Sequence, residues 1–150
     1  MSLQTYFTNP THSTVQEQLV ETWFIRDYIL HTTRQGQTPL VAHSDIDLFG
    51  FDLILGLRDR DQLLRVQLKA FNGRTRIWDV HKALLQQGGL VVIANPSFTG
   101  AEPTITYRCL TPEGRIRALS RTPRKAHPGK CMVKFGDVKV VDDLLQLFEM

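Results

Sequence analysis

The sequence predicts an α/β protein with a mixed central β-sheet flanked by helices. Apolar residues recur at helical spacing near the start of the chain, whereas the middle holds several short segments with strand patterns. Among these, Leu90 to Asn95 is a continuous apolar run, which is typical of a strand that is covered on both faces. A helix followed by strands, a second helix and more strands indicates the α/β class.

The first predicted element is an amphipathic helix. Residues 1–12 are expected to be irregular, because Asn9-Pro10 interrupts them. Thr14 and Glu17 match a capping box, so the helix is expected to begin there and to continue to about His31. Its apolar face is formed by Val15, Leu19, Val20, Trp23, Phe24 and Tyr28.

A β-hairpin is predicted to follow a short first strand at residues 40–42. One hairpin strand contains Asp52, the other runs from Leu64 to Ala70, and a polar turn near Asp59 joins them. If the hairpin folds about this turn, Asp52 lies directly opposite Gln67. Because side chains alternate along a strand, Gln67 and Lys69 share one face.

The remaining elements are predicted from shorter patterns. We expect a helix at residues 79–87, strands at residues 90–95 and 104–110, a turn at residues 112–114, a mobile loop at residues 120–130 and a closing helix at residues 141–149. His81 is expected on the first of these helices, and Trp78 is expected in the core. All 150 residues are expected to form one domain.

The residues of the hairpin resemble a known motif. The segments Gly50-Phe51-Asp52-Leu53-Ile54 and Val66-Gln67-Leu68-Lys69 are similar to the paired strands of the PD-(D/E)XK, or restriction-endonuclease-like, nuclease superfamily. The chain departs from the usual motif at Gln67, where most members carry Glu or Asp, although some homing members carry Gln. The resemblance implies an αβββαβ core over about residues 13–110, and residues 111–150 form a basic extension without a counterpart.

The resemblance also implies a metal site for phosphodiester hydrolysis. Asp52, the amide oxygen of Gln67 and the backbone carbonyl of Leu68 would bind Mg²⁺, for which Mn²⁺ would substitute. Lys69 would orient or deprotonate the attacking water and offset charge in the transition state. Glu17 on the first helix would supply a further acid, for which Glu21, one turn later, is the rival.

Other interpretations of these acids stay open. Glu17 also fits a helix cap, and an Asp beside a Lys is also explained by an ion pair. Asp45 and Asp47 are second choices for outer or second-metal positions, because acids before a strand are more often turn residues.

Basic residues are concentrated in the second half of the chain. Nine of the eighteen Lys and Arg residues lie between Arg108 and Lys139, whereas eight of the fifteen acids lie between Glu17 and Asp61. This asymmetry suits a site that holds cations and meets a polyanion, although a solvated basic loop explains it as well. The predicted nucleic-acid-binding residues are Arg74, Arg76, Arg115, Arg117, Arg121, Arg124, Lys125 and Lys130.

The predicted function is that of a metal-dependent DNA endonuclease, site-specific on double-stranded DNA and of homing or restriction type. One site per chain cuts one strand, so a homodimer or homotetramer is expected. The alternatives are an inactive nucleic-acid-binding or assembly module on the same fold, and a plain α/β protein with an Asp–Lys pair.

Composition and spacing argue against several other classes. No apolar run reaches the length of a membrane span, and two cysteines do not make a disulfide scaffold, so a cytoplasmic protein without a membrane partner is expected. The spacing of His43, His81, Cys109 and Cys131 matches no zinc motif.

Overall fold

A computed structural model describes residues 2–44, 50–71 and 73–150 of the chain. Its helices are α1 (Leu3–Thr8), α2 (Ser13–Arg34), α3 (Lys82–Gln86) and α4 (Pro112–Ser120), and the 3₁₀ turns are Pro10–His12, Phe135–Asp137 and Leu144–Glu149. Within the described ranges, none of the helices is both long enough and apolar enough to cross a membrane.

The strands are β1 (Pro39–His43), β2 (Leu53–Leu57), β3 (Leu64–Ala70), β4 (Ile77–His81), β5 (Leu90–Ser97), β6 (Thr104–Leu110), β7 (Lys130–Lys134) and β8 (Val138–Val141). Six of them form a sheet in the order β1-β2-β3-β5-β6-β8, and β4 pairs with β7 in a second, smaller sheet. In the large sheet β3 and β5 are parallel and the other neighbours are antiparallel. The predicted α/β class with a mixed central sheet is therefore confirmed.

The hairpin formed by β2 and β3 has the register that the sequence predicts. Leu53 faces Val66, and Leu55 faces Leu64. These four side chains are buried in one core cluster on the side of the sheet that α2 covers. A slip by one residue would turn this apolar set to the opposite face, so its burial specifies the register.

Helix α2 packs its apolar face on that cluster. Val20, Phe24 and Tyr28 recur at intervals of four, and all three are buried. The Tyr28 hydroxyl also donates a 2.6 Å hydrogen bond to the carbonyl oxygen of Gly56 in β2. The helix begins at Ser13 after a 3₁₀ turn, and its cap residue His12 makes no side-chain capping bond, so the predicted capping box is wrong.

A second core cluster lies on the other face of the large sheet. It joins β4, β7, α3 and α4 to β5 through buried residues including Trp78, Val80, Val91, Ile93 and Val133. The predicted helix at residues 79–87 is wrong in its first part, because Asp79 and His81 belong to strand β4. Its partner β7 is more than forty residues away in the sequence, and this long-range pairing overrides the local pattern.

Three predictions for the chain ends are also wrong. Residues 3–8 form α1 instead of an irregular segment. Pro112 opens α4, where Thr111 accepts the N–H of Gly114, so the predicted turn is the start of a helix. At the end of the chain Val141 belongs to β8, and the predicted helix is reduced to the 3₁₀ turn Leu144–Glu149, capped by Asp143.

Residues 111–150 are held by a buried carboxylate. Asp137 is 1% exposed. It accepts hydrogen bonds from Arg117 at 3.0 Å, from Arg121 at 2.9 Å and from the Lys134 backbone N–H at 2.8 Å. Burial by itself would raise the pKa of Asp137, but these bonds lower it to about 2. Asp137 thereby ties α4 to the segment that follows β7.

We predict that Asp137→Asn lowers the free energy of unfolding at neutral pH by about 3 kcal/mol, because it leaves two arginines without their buried carboxylate. The folded-state pKa lies below the ordinary value of 3.8. The stabilisation is therefore complete above that value and is lost as the pH falls from 3.8 towards 2. Denaturant unfolding against pH measures this, with the exposed Asp142→Asn as control. Equal stability of Asp137→Asn and Asp142→Asn at neutral pH would contradict it.

Candidate active site

The hairpin presents Asp52 to the middle of β3. Asp52 lies one residue before β2, and continuation of the observed register puts it opposite Gln67. Its backbone N–H bonds to the carbonyl oxygen of Val66 at 2.8 Å. Its side-chain Oδ2 accepts the backbone N–H of Leu68 at 2.7 Å. The carboxylate is therefore fixed against the strand that carries Gln67 and Lys69.

Gln67 supplies a buried oxygen. Its side-chain Oε1 is buried, and no donor in the described part of the chain bonds to it. A buried oxygen without a donor is costly unless a ligand or water satisfies it. The N–H and C=O of a strand residue point to the same side, so the Leu68 carbonyl faces the edge where Asp52 binds the Leu68 amide. Gln67 thus lies opposite Asp52 in the hairpin register, and Leu68 is bonded to the Asp52 carboxylate through its amide.

Lys69 follows on the same face as Gln67 and is half-buried. Burial of its ammonium group lowers the pKa of Lys69 below the ordinary lysine value, and the positive charge of Lys130 lowers it further. Three carboxylates act in the opposite direction, those of Asp52, Glu17 and Asp79. A lysine with a lowered pKa, placed among acids beside a strand edge, is suited to bind or exchange a proton.

The two candidate acids of α2 differ in their surroundings. Glu17 is exposed, and its charge acts on Lys69. The first turn of α2 contains no acid, so Glu17 does not act as a cap. Glu21 binds the Nε2 atom of His43 at 2.6 Å. Of the two, Glu17 is the acid whose charge acts on Lys69.

The sequence did not predict two charged neighbours of Lys69, Asp79 on β4 and Lys130. Lys130 was predicted only as a nucleic-acid-binding residue. Asp79 is ion-paired with Arg124 at 3.5 Å. The alternation of Trp78 and Val80 with polar neighbours was a strand signal that could have placed Asp79 on a strand face. Nothing in the local sequence indicates that β7 brings Lys130 alongside.

Gly50, two residues before Asp52, lies close to His81. Gly50 has a φ of +74°, and a Cβ at this position would lie 2.2 Å from Cδ2 of His81. His81 on β4 therefore packs directly against the backbone at Gly50. Only glycine combines this left-handed conformation with so close a contact.

The donor set fits a hard divalent cation that is held largely by neutral oxygens. One carboxylate, one buried amide oxygen and one backbone carbonyl are ligands of the kind that Mg²⁺ and Mn²⁺ accept. Within residues 2–44, 50–71 and 73–150, no three His, Cys, Asp or Glu side chains are grouped so that they could hold a metal ion. Asp45 and Asp47 lie outside the described residues.

Most of the predicted nucleic-acid-binding residues have partners within the chain. Arg117 and Arg121 bind Asp137 and thus have a structural role. Arg115 donates to the carbonyl oxygen of Leu85 at 2.9 Å, and its burial lowers its pKa. The other predicted residues are Arg74, Lys125 and Arg124, which are exposed, Lys130, which is half-buried near Lys69, and Arg76, which is exposed and stacks on two phenylalanines.

Comparison with known proteins gives one weak likeness. No protein-family model matches the chain, and no curated protein matches it. Among solved structures it is similar to Hjc, a Holliday junction resolvase from Archaeoglobus fulgidus, with 16% identity. The match covers 77% of this chain and 88% of that chain, with a TM-score of 0.40. A likeness at this level carries no conclusion about the activity of the present chain.

We predict that Gln67→Glu binds Mn²⁺ about tenfold more tightly than wild type, or better, because a second carboxylate adds negative charge next to Asp52. Electron paramagnetic resonance of free Mn²⁺ measures the affinity. Gln146→Glu, the same change at an exposed position of the C-terminal turn, is the control. An equal effect in both variants would exclude Gln67 as a ligand.

We predict that Glu17→Gln weakens Mn²⁺ binding in the same measurement, because it removes a negative charge that acts on the site. An unchanged Mn²⁺ affinity would exclude Glu17 as an acid of the metal site.

Proposed function

We propose that this chain is a metal-dependent nuclease that hydrolyses phosphodiester bonds in DNA. The observation that carries the proposal is the hairpin register, which brings Asp52 opposite Gln67 and fixes its carboxylate on the Leu68 amide. This is the arrangement expected from the resemblance to the PD-(D/E)XK nucleases. The buried oxygen of Gln67 and the lowered pKa of Lys69 support it, because both are costly to the fold and useful to a site.

Each residue then has a role that follows from its chemistry. Asp52, Gln67 and the carbonyl of Leu68 would hold the metal ion, with Glu17 as a further acid. When bound, Mg²⁺ would supply positive charge that stabilises the phosphoryl transition state. Lys69, on the same face as Gln67, would orient the attacking water and bind a phosphate oxygen through Nζ. Its lowered pKa makes it better able to accept a proton from that water.

We extend the proposal to the metal ion, the oligomeric state and the DNA contacts of the protein. We infer that Mg²⁺ is the physiological ion and that Mn²⁺ can replace it, because the donors are all oxygens. Cleavage of both strands of a duplex needs two such sites, so a homodimer or homotetramer acting on specific sequences, as homing and restriction enzymes do, fits best. Arg74 and Lys125, which are exposed, and Lys130, which is half-buried, would contact the phosphate backbone.

The second candidate is a nucleic-acid-binding or assembly module without catalysis. One observation favours it: in the described part of the chain no three ligand side chains of the His, Cys, Asp and Glu type are grouped together. In that case Gln67 would be a lost acid of the site, and Lys69 would contact phosphate without chemistry. This module would bind DNA in a salt-dependent way and would leave it intact with either metal.

We predict that wild type cuts plasmid DNA with Mg²⁺ or Mn²⁺ but not with EDTA, and that Lys69→Ala reduces the rate at least about a hundredfold. Gel analysis of supercoiled, nicked and linear forms measures cleavage. Lys139→Ala, the same change at an exposed position of the edge strand β8, is the control and is expected to cut normally. DNA that remains intact with both metals, although the protein binds it, would favour the module over the nuclease.

A further inference from the structure

A second group of residues lies on the same face of the sheet as Lys69. Lys69 on β3 is paired with Ile93 on β5, and Ile93 is paired with Arg108 on β6. Directly paired residues project to the same side of a sheet, so all three side chains lie on one face. Neighbouring strands are about 5 Å apart, which puts the backbones of Lys69 and Arg108 about 10 Å apart.

Arg108 and Arg76 converge on one aromatic ring. The guanidinium carbon of Arg108 lies 4.9 Å from the centre of the Phe135 ring, and that of Arg76 lies 4.7 Å from it. Arg76 also lies 5.4 Å from the ring centre of Phe71, which directly follows β3 and packs against the second core cluster. Stacking on an aromatic ring stabilises a guanidinium group and leaves its N–H edges free to donate.

These two arginines lack the carboxylate partners that their neighbours have. Arg117 and Arg121 bind Asp137, and Arg124 binds Asp79. Neither Arg76 nor Arg108 forms an ion pair with any of the described residues. Nη1 of Arg108 is also buried and has no hydrogen-bond acceptor there. Two guanidinium groups thus stack on one ring, and neither has a carboxylate partner among the described residues.

A bound anion would remove this cost. The buried Nη1 of Arg108 is a cationic donor without an acceptor among the described residues, which is unfavourable. The planar guanidinium fork matches the oxygens of a phosphate, to which it donates two parallel hydrogen bonds. Arg108 lies on the same sheet face as Lys69, and Arg76 stacks on the same Phe135 ring as Arg108, so the anion would lie alongside the candidate active site.

We propose that Arg76 and Arg108, stacked on Phe135, form a binding site for backbone phosphates of the DNA beside the scissile bond. The proposal rests on the proposed function, because it takes DNA as the substrate. One strand of a duplex rises about 3.4 Å per nucleotide, so a distance of about 10 Å spans a few nucleotides. The site therefore holds the cut strand a few phosphates away from Lys69 and sets its direction across the sheet.

The test is the salt dependence of DNA binding, measured by fluorescence anisotropy with a labelled duplex in EDTA, so that no cleavage occurs. The variants are Arg76→Gln, Arg108→Lys and the double variant Arg76→Gln/Arg108→Gln. Arg34→Gln, at the exposed C-terminal end of α2, makes the same charge change away from this face and is the matched control. Thermal melts establish that each variant is folded.

We expect the double variant to bind about tenfold more weakly and the slope of log K against log salt to fall by about one for each arginine lost. Arg76→Gln alone is expected to give half of this change in slope. Arg108→Lys keeps the charge, so it should weaken binding severalfold with little change in slope. Because Arg76 is exposed, its variant tests the proposal even if the Arg108 variants fail to fold.

The proposal would be overturned if Arg76→Gln and the double variant had the same DNA affinity and the same salt slope as Arg34→Gln. It would also be overturned if the wild-type protein did not bind duplex DNA. Cleavage measured in parallel with Mg²⁺ separates this site from the proposed function. Loss of binding in the variants, with no cutting by wild type, would support the phosphate site and contradict the nuclease. If wild type cuts DNA and the arginine variants bind it as well as wild type does, the nuclease would be supported and the phosphate site contradicted.

Discussion

The candidate site depends on one constraint, the register between β2 and β3. Leu53 and Val66 are paired and buried against α2, and the Tyr28 hydroxyl binds the backbone of the same hairpin at Gly56. This packing leaves Asp52 and Gln67 opposite each other at the end of the paired region. A shift by one residue would move the apolar side chains out of the core and separate the two polar groups. The stability of the fold and the geometry of the site therefore rest on the same contacts.

The buried and half-buried polar side chains of this fold are of two kinds. Asp137 is buried, accepts bonds from two arginines and a backbone N–H, and contributes to stability. The buried Oε1 of Gln67 has no donor among the described residues, and Lys69 is half-buried with a lowered pKa, so neither is optimal for folding. Groups that break the rules of burial in this way cluster at functional sites. The arginines also differ in this way: Arg117 and Arg121 are ion-paired with Asp137, whereas Arg76 and Arg108 have no ion pair among the described residues.

Local patterns predicted the elements that position the site. The hairpin register, the central strand β5 and the bounds of β6 follow from alternation and from continuous apolar runs, which are short-range signals. The pairing of β4 with β7 joins residues about fifty positions apart, and no local pattern reports it. This pairing brings Asp79 and Lys130 near Lys69, so the sequence did not indicate that either residue is a neighbour of Lys69.

Other errors arose where two local signals competed. Thr14 and Glu17 have capping-box spacing, but the preceding 3₁₀ turn starts α2 at Ser13 and places Thr14 inside the helix. At the C-terminus, Val141 belongs to the edge strand β8, and the residues from Leu144 to Glu149 form a 3₁₀ turn that is capped by Asp143. In both cases the neighbouring element, and not the motif itself, decided the outcome.

The most direct measurement of the central claim is a crystal structure of the wild-type protein soaked in Mn²⁺, with an anomalous difference map. The account predicts one strong peak within coordination distance of an Asp52 carboxylate oxygen, Oε1 of Gln67 and the carbonyl oxygen of Leu68. A map with no peak there at a saturating concentration of Mn²⁺, or with a peak held by other residues, would contradict the claim that this hairpin forms a metal site.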